Sequence, residues 1–413
     1  METPEHHLDP LPYHIEVRDY LKASEPDLWR WFASARAQAD YTEQLRLDLL
    51  KSTYRLDPVA HPDLHRSLDE AKARLQLDIP VTLYQAQNSP QPNAALLFIP
   101  GEGHIVLSGP ILSLLNREEV QSVLAHELAH YRLWQWESGD LNIADRLLQA
   151  VAVDPRSLAS HQETARRFQL YTEIFADRGS LRVTRSLETV VAGLVKLQTG
   201  LPDVSASAYL RQADEIFSAQ NVSTKGLSHP EAFIRARALA LWRDAPASAV
   251  ARISAMIEGA VSWNTLDIPA QARLTANTRT FLEQLLQPAW FQTPAVLGHA
   301  RLFFPDFQPA PAAKAPADAS ATFSFNDPAL REYVAYLLLD FASADPQLED
   351  LPLAAALNWS LALGLDSQFE KLAAKELGRR LRDIRKLRDQ ADAMLAKAAE
   401  QPDNRAGRSG RPT

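Results

Sequence analysis

The stretch VLAHELAHYR, residues 123–132, holds the residue types best suited to chemistry in this chain. His126 and His130 stand four apart, and Glu127 directly follows the first of them. On an α-helix, residues four apart share one face, so two imidazoles can address one metal ion. Glu127 is rotated by about 100° from His126, where a carboxylate reaches a metal-activated water without ligating the metal itself. Such a pattern implies a zinc ion that acidifies water, with Glu127 as the general base that takes its proton. Without an ion, the same residues are two histidines on an ordinary helix.

The helix that must carry them is legible. Asn116 is an N-cap, and Glu119 three residues on is its capping-box partner. Apolar Val120, Val123, Leu124 and Leu128 fit packing in a core, and Ser138-Gly139 ends the segment. Upstream, three β-rich runs at 79–86, 94–100 and 104–109 read as strands between Gly and Pro breakers, and either of the last two can form a sheet edge beside the cleft. Residues 15–75 read as helical, as do long segments from 116 to about 305.

A catalytic zinc needs a third protein ligand and an open position. The Glu position of thermolysin-like and aminopeptidase-like enzymes holds Gln149 and Ala150 here, and the Gly and His positions of metzincins hold Leu133 and Trp136. The best candidate lies in YTEIFADRGSLR, where Glu173 and Asp177 stand four apart on one helical face. Glu173 is suited to ligate, and Asp177 to accept an imidazole N–H behind the ligands. Glu137 and Glu163 are rivals: Glu137 lies too close along the same helix, and Glu163 has Arg167 rather than an acid four residues on. Further along, LSHPEAFIRARAL puts His229 before a Pro-initiated helix carrying Arg235. By itself His229 reads first as a structural residue at the helix entrance and second as a donor to an oxyanion, while Arg235 is suited to pair with a carboxylate. The pair His61 and His65 has no Glu after the first His and reads as a helix start, while His6 and His7 carry no reading.

The order of these three boxes, with the approach NAALLFIPGEGHIVLSGPILSLLNREE, resembles the HtpX-type and CAAX-prenyl-protease-type zinc metallopeptidases of peptidase family M48. The resemblance covers roughly residues 75–240. It implies that His126, His130 and Glu173 are the zinc ligands, Glu127 the general base and Asp177 a support behind them. It implies also that His229 assists the transition state and that Arg235 braces the site. The fold it implies is α+β and mostly helical: a zincin domain of gluzincin type, with a small β-sheet and the H-E-x-x-H helix, plus helical N- and C-terminal extensions. The expected function is a zinc-dependent endopeptidase acting on peptides or unfolded proteins, in protein quality control. The alternative is a zinc-holding binding or scaffold protein with a latent peptidase domain.

Composition narrows the rest. A net charge of −8 argues against a nucleic-acid binder. No cysteine is present, so zinc must be held by His and carboxylate, and thiolate nucleophiles are excluded. The N-terminus METPEHHLDPLPYHIEVRDY lacks the basic and apolar regions of a signal peptide. The most apolar run, 351–365, falls short of the roughly 20 residues a membrane span needs. A soluble, cytoplasmic protein is expected, with no integral membrane span. The expected domains are an N-terminal helical region 1–75, a metallopeptidase domain 76–240 and a helical extension 241–307. A Pro/Ala-rich linker 308–322, a C-terminal helical domain 323–400 and a disordered tail 401–413 complete the chain. The segment 369–400 reads as one helix with a seam of Ile384, Leu387, Ala391, Met394 and Ala398. That seam suits intramolecular packing first, and a second copy or a protein partner second.

Overall fold

The computed structural model describes residues 8–218, 232–259, 263, 266–309 and 327–400, without the side chains of 35–41. The fold is α+β and mostly helical, with one small sheet. The chain forms two compact units: Met1–Gly259 with Asp267–Pro269, and Ala260–Leu266 with Ala270–Thr413.

In the first unit, α1 (Pro12–Ser24), α2 (Pro26–Phe32) and α3 (Ala35–Ser52) precede strand β1 (Thr53–Arg55) and α4 (Pro62–Leu75). Strands β2 (Val81–Ala86), β3 (Asn93–Ile99) and β4 (Glu102–Ser108) follow. The rest is helical: α5 (Ile111–Leu114), α6 (Arg117–Trp134), α7 (Asp140–Val153), α8 (Ala159–Thr184), α9 (Leu187–Thr199), α10 (Ala206–Ser218), α11 (Ala232–Asp244) and α12 (Pro246–Glu258). The sheet order is β1-β2-β4-β3, with β2 and β4 parallel and the other pairs antiparallel. Strand β3 is therefore an edge, which the sequence left undecided between the last two strands. Strand β1 falls in the stretch read as helical throughout. It is three residues long, too short for a period to show, and exists by pairing with Tyr84–Ala86.

Leu83, Leu96, Ile105 and Leu107 point from the sheet into the core that α6 fills with Leu124 and Leu128. Each of these side chains contributes about 1.5–3 kcal/mol by leaving water. Helix α8 crosses α6 at unusually close range. A Cβ on Gly179 would lie 2.4 Å from the Cβ of Ala129, so only glycine permits this approach. Helix α1 also packs on α8: Tyr13 stacks on Tyr171 with ring centres 4.6 Å apart, and His14 sits edge-on to Phe168. Helix α12 adds Ala249, Ile253 and Ile257 to the same core.

The second unit has its own core, shared by the helix Ile268–Leu285 beyond its first two residues, the helix Pro294–Phe303 and the helices Pro328–Ala342, Leu351–Ala362, Asp366–Glu376 and Leu381–Ala399. Residues on both sides of the Pro/Ala-rich segment meet in it; that segment from 310 on, and the tail 401–413, lie outside the described residues. The C-terminal helix read over 369–400 is two helices, because Gly378 takes a left-handed conformation between them. Its seam residues Ile384, Leu387 and Ala391 are buried within this unit. Among the described residues, no helix is long and apolar enough to cross a membrane.

Candidate metal centre

Helix α6 begins as its sequence requires. Asn116 Oδ1 accepts from the N–H of Glu119 at 2.9 Å, and Glu119 Oε2 accepts from the N–H of Asn116 at 2.8 Å. The α-helix ends at Trp134, a turn before Ser138. Glu137, Ser138 and Gly139 then follow in left-handed conformations that no helix can continue through. This fixed start and the Gly179–Ala129 crossing set where the side chains of α6 and α8 meet.

There the structure brings together His126, His130 and Glu173, with one donor atom from each within 4.8 Å of the others. His126 Nε2 and His130 Nε2 are 3.1 Å apart. The Glu173 carboxylate lies 3.4 Å from the first and 3.6 Å from the second. Tetrahedral zinc with ligands at 2.0–2.2 Å separates neighbouring ligand atoms by roughly 3.3–3.6 Å. The three side chains thus fit such an ion in chemistry and in spacing.

Asp177 and Arg235 stand behind them. His126 Nδ1–H donates to Asp177 Oδ1 at 3.1 Å. Arg235, from α11, donates through Nε and Nη2 to the two oxygens of Asp177 at 2.7 and 2.6 Å. Its Nη1 lies 3.1 Å from Glu173 Oε2. His229 lies outside the described residues. The rivals are elsewhere: Glu137 pairs with Arg18, and Glu163 is occupied by Arg166 and Arg167.

Burial and charge act in opposition here. Burial pushes His126 down, but hydrogen bonds to Asp177 and Glu173 outweigh it and hold the imidazole up at about 10. Burial, aided by the His126 charge, lowers His130 to about 4. Burial would raise Glu173 and Asp177, yet the Arg235 guanidinium and the His126 ring keep both below the usual carboxylate range. Glu127 is different. Burial lifts it to about 7 and Glu173 adds to the rise, against His126, the N–H of Leu96 and Arg235. That hydrogen bond from Leu96 sets Glu127 against edge strand β3.

Three features escaped the sequence reading. Leu96 acts through its backbone, which no side-chain pattern announces. Trp134 stacks on His130 with ring centres 5.3 Å apart, and its place four residues on from His130 was a usable signal. Asp145, buried on α7, is raised to about 7 by burial despite a hydrogen bond from Gln149; nothing in its local sequence marks it.

An edge strand beside an H-E-x-x-H helix, crossed by a second helix that supplies a carboxylate, defines a metallopeptidase-type domain of the zincin class. Residues 58–136 match the model of peptidase family M48. This match includes His126, Glu127 and His130 and stops before Glu173, Asp177 and Arg235. The chain is also 34% identical over 199 residues to a plastoglobule-localized metallopeptidase 48, chloroplastic, of Arabidopsis thaliana, over 44% of this chain and 56% of that protein. It is 36% identical over 77 residues to a protease HtpX homolog of Caldanaerobacter subterraneus subsp. tengcongensis, over 18% of this chain and 25% of that protein. The chain thus spans about half, or less, of the length of these curated relatives. No solved structure matches it.

Proposed function

We propose that this chain is a zinc-dependent endopeptidase acting on extended segments of unfolded protein, in protein quality control. The observation that carries the reading is the convergence of two imidazoles and a carboxylate at tetrahedral spacing, with a buried glutamate between them and an open sheet edge. His126, His130 and Glu173 hold the ion, Asp177 fixes the tautomer of His126, and Arg235 holds both carboxylates in place. A bound zinc ion supplies Lewis acidity toward a peptide carbonyl and toward water.

The chain's own residues do the rest. Glu127 takes a proton from the attacking water onto its carboxylate and passes it to the leaving amine. A group that must both accept and give a proton works best with a pKa near the working pH, and burial moves Glu127 in that direction. Strand β3 offers its free edge to a substrate strand, so recognition rests mainly on backbone hydrogen bonds and sequence preference is broad. His229 retains the role the family resemblance gives it, stabilising the oxyanion.

Glu127→Gln tests the reading, with zinc content measured by elemental analysis and cleavage of an unfolded protein such as reduced, alkylated casein. The expected outcome is a variant that keeps zinc and loses cleavage. Equal cleavage by the variant, or no zinc in the wild type, overturns the proposal. If neither protein cleaves but both hold zinc, the chain is a zinc-holding binding protein instead.

A further inference from the structure

The two imidazoles of the centre are held in different ways. A metal-bound histidine usually gives its second ring N–H to a carboxylate or a carbonyl, which fixes both tautomer and ring plane. His126 follows this rule through Asp177. His130 does not: its Nδ1 is buried and has no hydrogen-bond partner among the described residues. Leaving such a group buried without a partner is costly. Something else must hold this ring.

The ring rests on Trp134, with planes only 25° from parallel. Trp134 comes one turn later on the same face of α6, so the stack needs no distortion of the helix. The indole does not owe its place to polar contacts either, since its Nε1 is buried without a partner among the described residues. It is fixed by packing: Phe98, from edge strand β3, meets it edge-on with ring centres 6.1 Å apart. The series His130, Trp134, Phe98 thus links a metal-ligating ring to the strand that borders the cleft.

We infer that Trp134 is the positioning residue for His130, doing by stacking what Asp177 does for His126 by a hydrogen bond. This rests on the metal-site reading above. Aromatic contact sets the ring plane and leaves rotation within that plane freer than a hydrogen bond would.

The test measures zinc affinity by competition with a chromogenic chelator, beside the thermal stability of the metal-free protein. Trp134→Leu is expected to weaken zinc binding by about 10–100-fold, as loss of a ligand's supporting partner commonly does. Trp134→Phe, which keeps an aromatic face, recovers most of that loss. Unchanged affinity with a lower melting temperature would show a merely structural role and overturn the inference. Should Trp134→Leu fail to fold, fluorescence decides. The chain has eight tryptophans, and the difference between wild type and Trp134→Phe isolates the one stacked on His130. A zinc-dependent change present in the wild type and lost in Trp134→Phe supports the inference; identical zinc responses sink it. A wild type that takes up no zinc sinks both this inference and the metal-site reading.

Discussion

Each unit contains a buried carboxylate on a helix faced by arginine, and only one of the two arrangements is suited to chemistry. In the second unit, Glu370 accepts from Arg385 at 3.0 Å and from Arg388 at 2.6 Å. Two cations serve one acid, and both guanidinium groups keep partial access to water. Each of its oxygens accepts from one guanidinium. In the first unit, one guanidinium serves two acids, Glu173 and Asp177, and two imidazoles turn their Nε2 atoms toward each other. Lone pairs converge there instead of being used up. Burial with arginine therefore does not mark a site; an excess of donor atoms aimed at one point does.

The sharpest break of this contrast is Glu173→Gln. A neutral amide is a poor zinc ligand, so the loss of zinc affinity exceeds the ~10–100-fold typical of groups behind the ligands. Zinc retained after gel filtration and cleavage both fall with it, while Asp177→Asn stays within that smaller range. If Glu173→Gln keeps zinc at wild-type affinity, the first cluster is no more a site than the second.

Gly179 tests what sets the spacing. Elsewhere in a helix, Gly→Ala gains about 1 kcal/mol in propensity. Here the added methyl meets Ala129, whose neighbour in sequence is His130. Gly179→Val is expected to destabilise by about 2–3 kcal/mol through overpacking and to weaken zinc binding, as urea unfolding and chelator competition would record. The double variant with Ala129→Gly regains part of both. No loss in either measurement would mean that α6 and α8 are not held by this contact.

Much of this was readable from sequence because it is local. The Asn116–Glu119 capping box, the four-residue spacing of His126 and His130, and that of Glu173 and Asp177 all lie within single helices, where sequence distance fixes geometry. Sequence offered Glu173 as the candidate third ligand but could not measure its distance from the imidazoles, which depends on how α8 crosses α6. The edge strand was undecided because pairing order in a sheet is a tertiary fact, and β1 was missed because three residues carry no period. The break at Gly378 is local and has a sequence signal, because a glycine inside a helical pattern is a recognised stop.

The support of α8 from α1 yields a pH dependence. His14 is fully buried, its Nδ1 accepts from the N–H of Leu11 at 3.1 Å, and its Nε2 lies 3.3 Å from Thr172 Oγ1. Burial depresses it from 6.5 to about 3. Of the side chains that face it, Phe168, Tyr171, Thr172 and Phe175, only Tyr171 titrates, and burial pushes that phenol up. Below pH 6.5 the unfolded chain binds a proton that the folded one refuses. The contribution is whole above 6.5, shrinks as pH falls, and has lost about 2 kcal/mol at pH 5. Urea unfolding at pH 7 and pH 5 measures it, and His14→Gln flattens that part of the slope. A wild type equally stable at both pH values would contradict a neutral, buried His14.

The smallest effect belongs to the control cluster. Glu370→Gln keeps one acceptor oxygen for Arg388 and removes a charge that two guanidinium groups share. Because those groups are partly in water, screening limits the loss to about 1 kcal/mol. Zinc content and cleavage should not change. The second unit should unfold slightly earlier in urea, followed by the emission of Trp359, whose ring meets Phe281, taken as the difference between proteins with and without Trp359→Tyr. The informative result is a paired one. If Glu370→Gln costs little and Glu173→Gln abolishes zinc binding, two buried acids with similar partners differ only in whether those partners leave donor atoms unspent. If Glu370→Gln also lowers cleavage, the second unit takes part in the reaction, and the contrast drawn from hydrogen-bond partners alone is wrong.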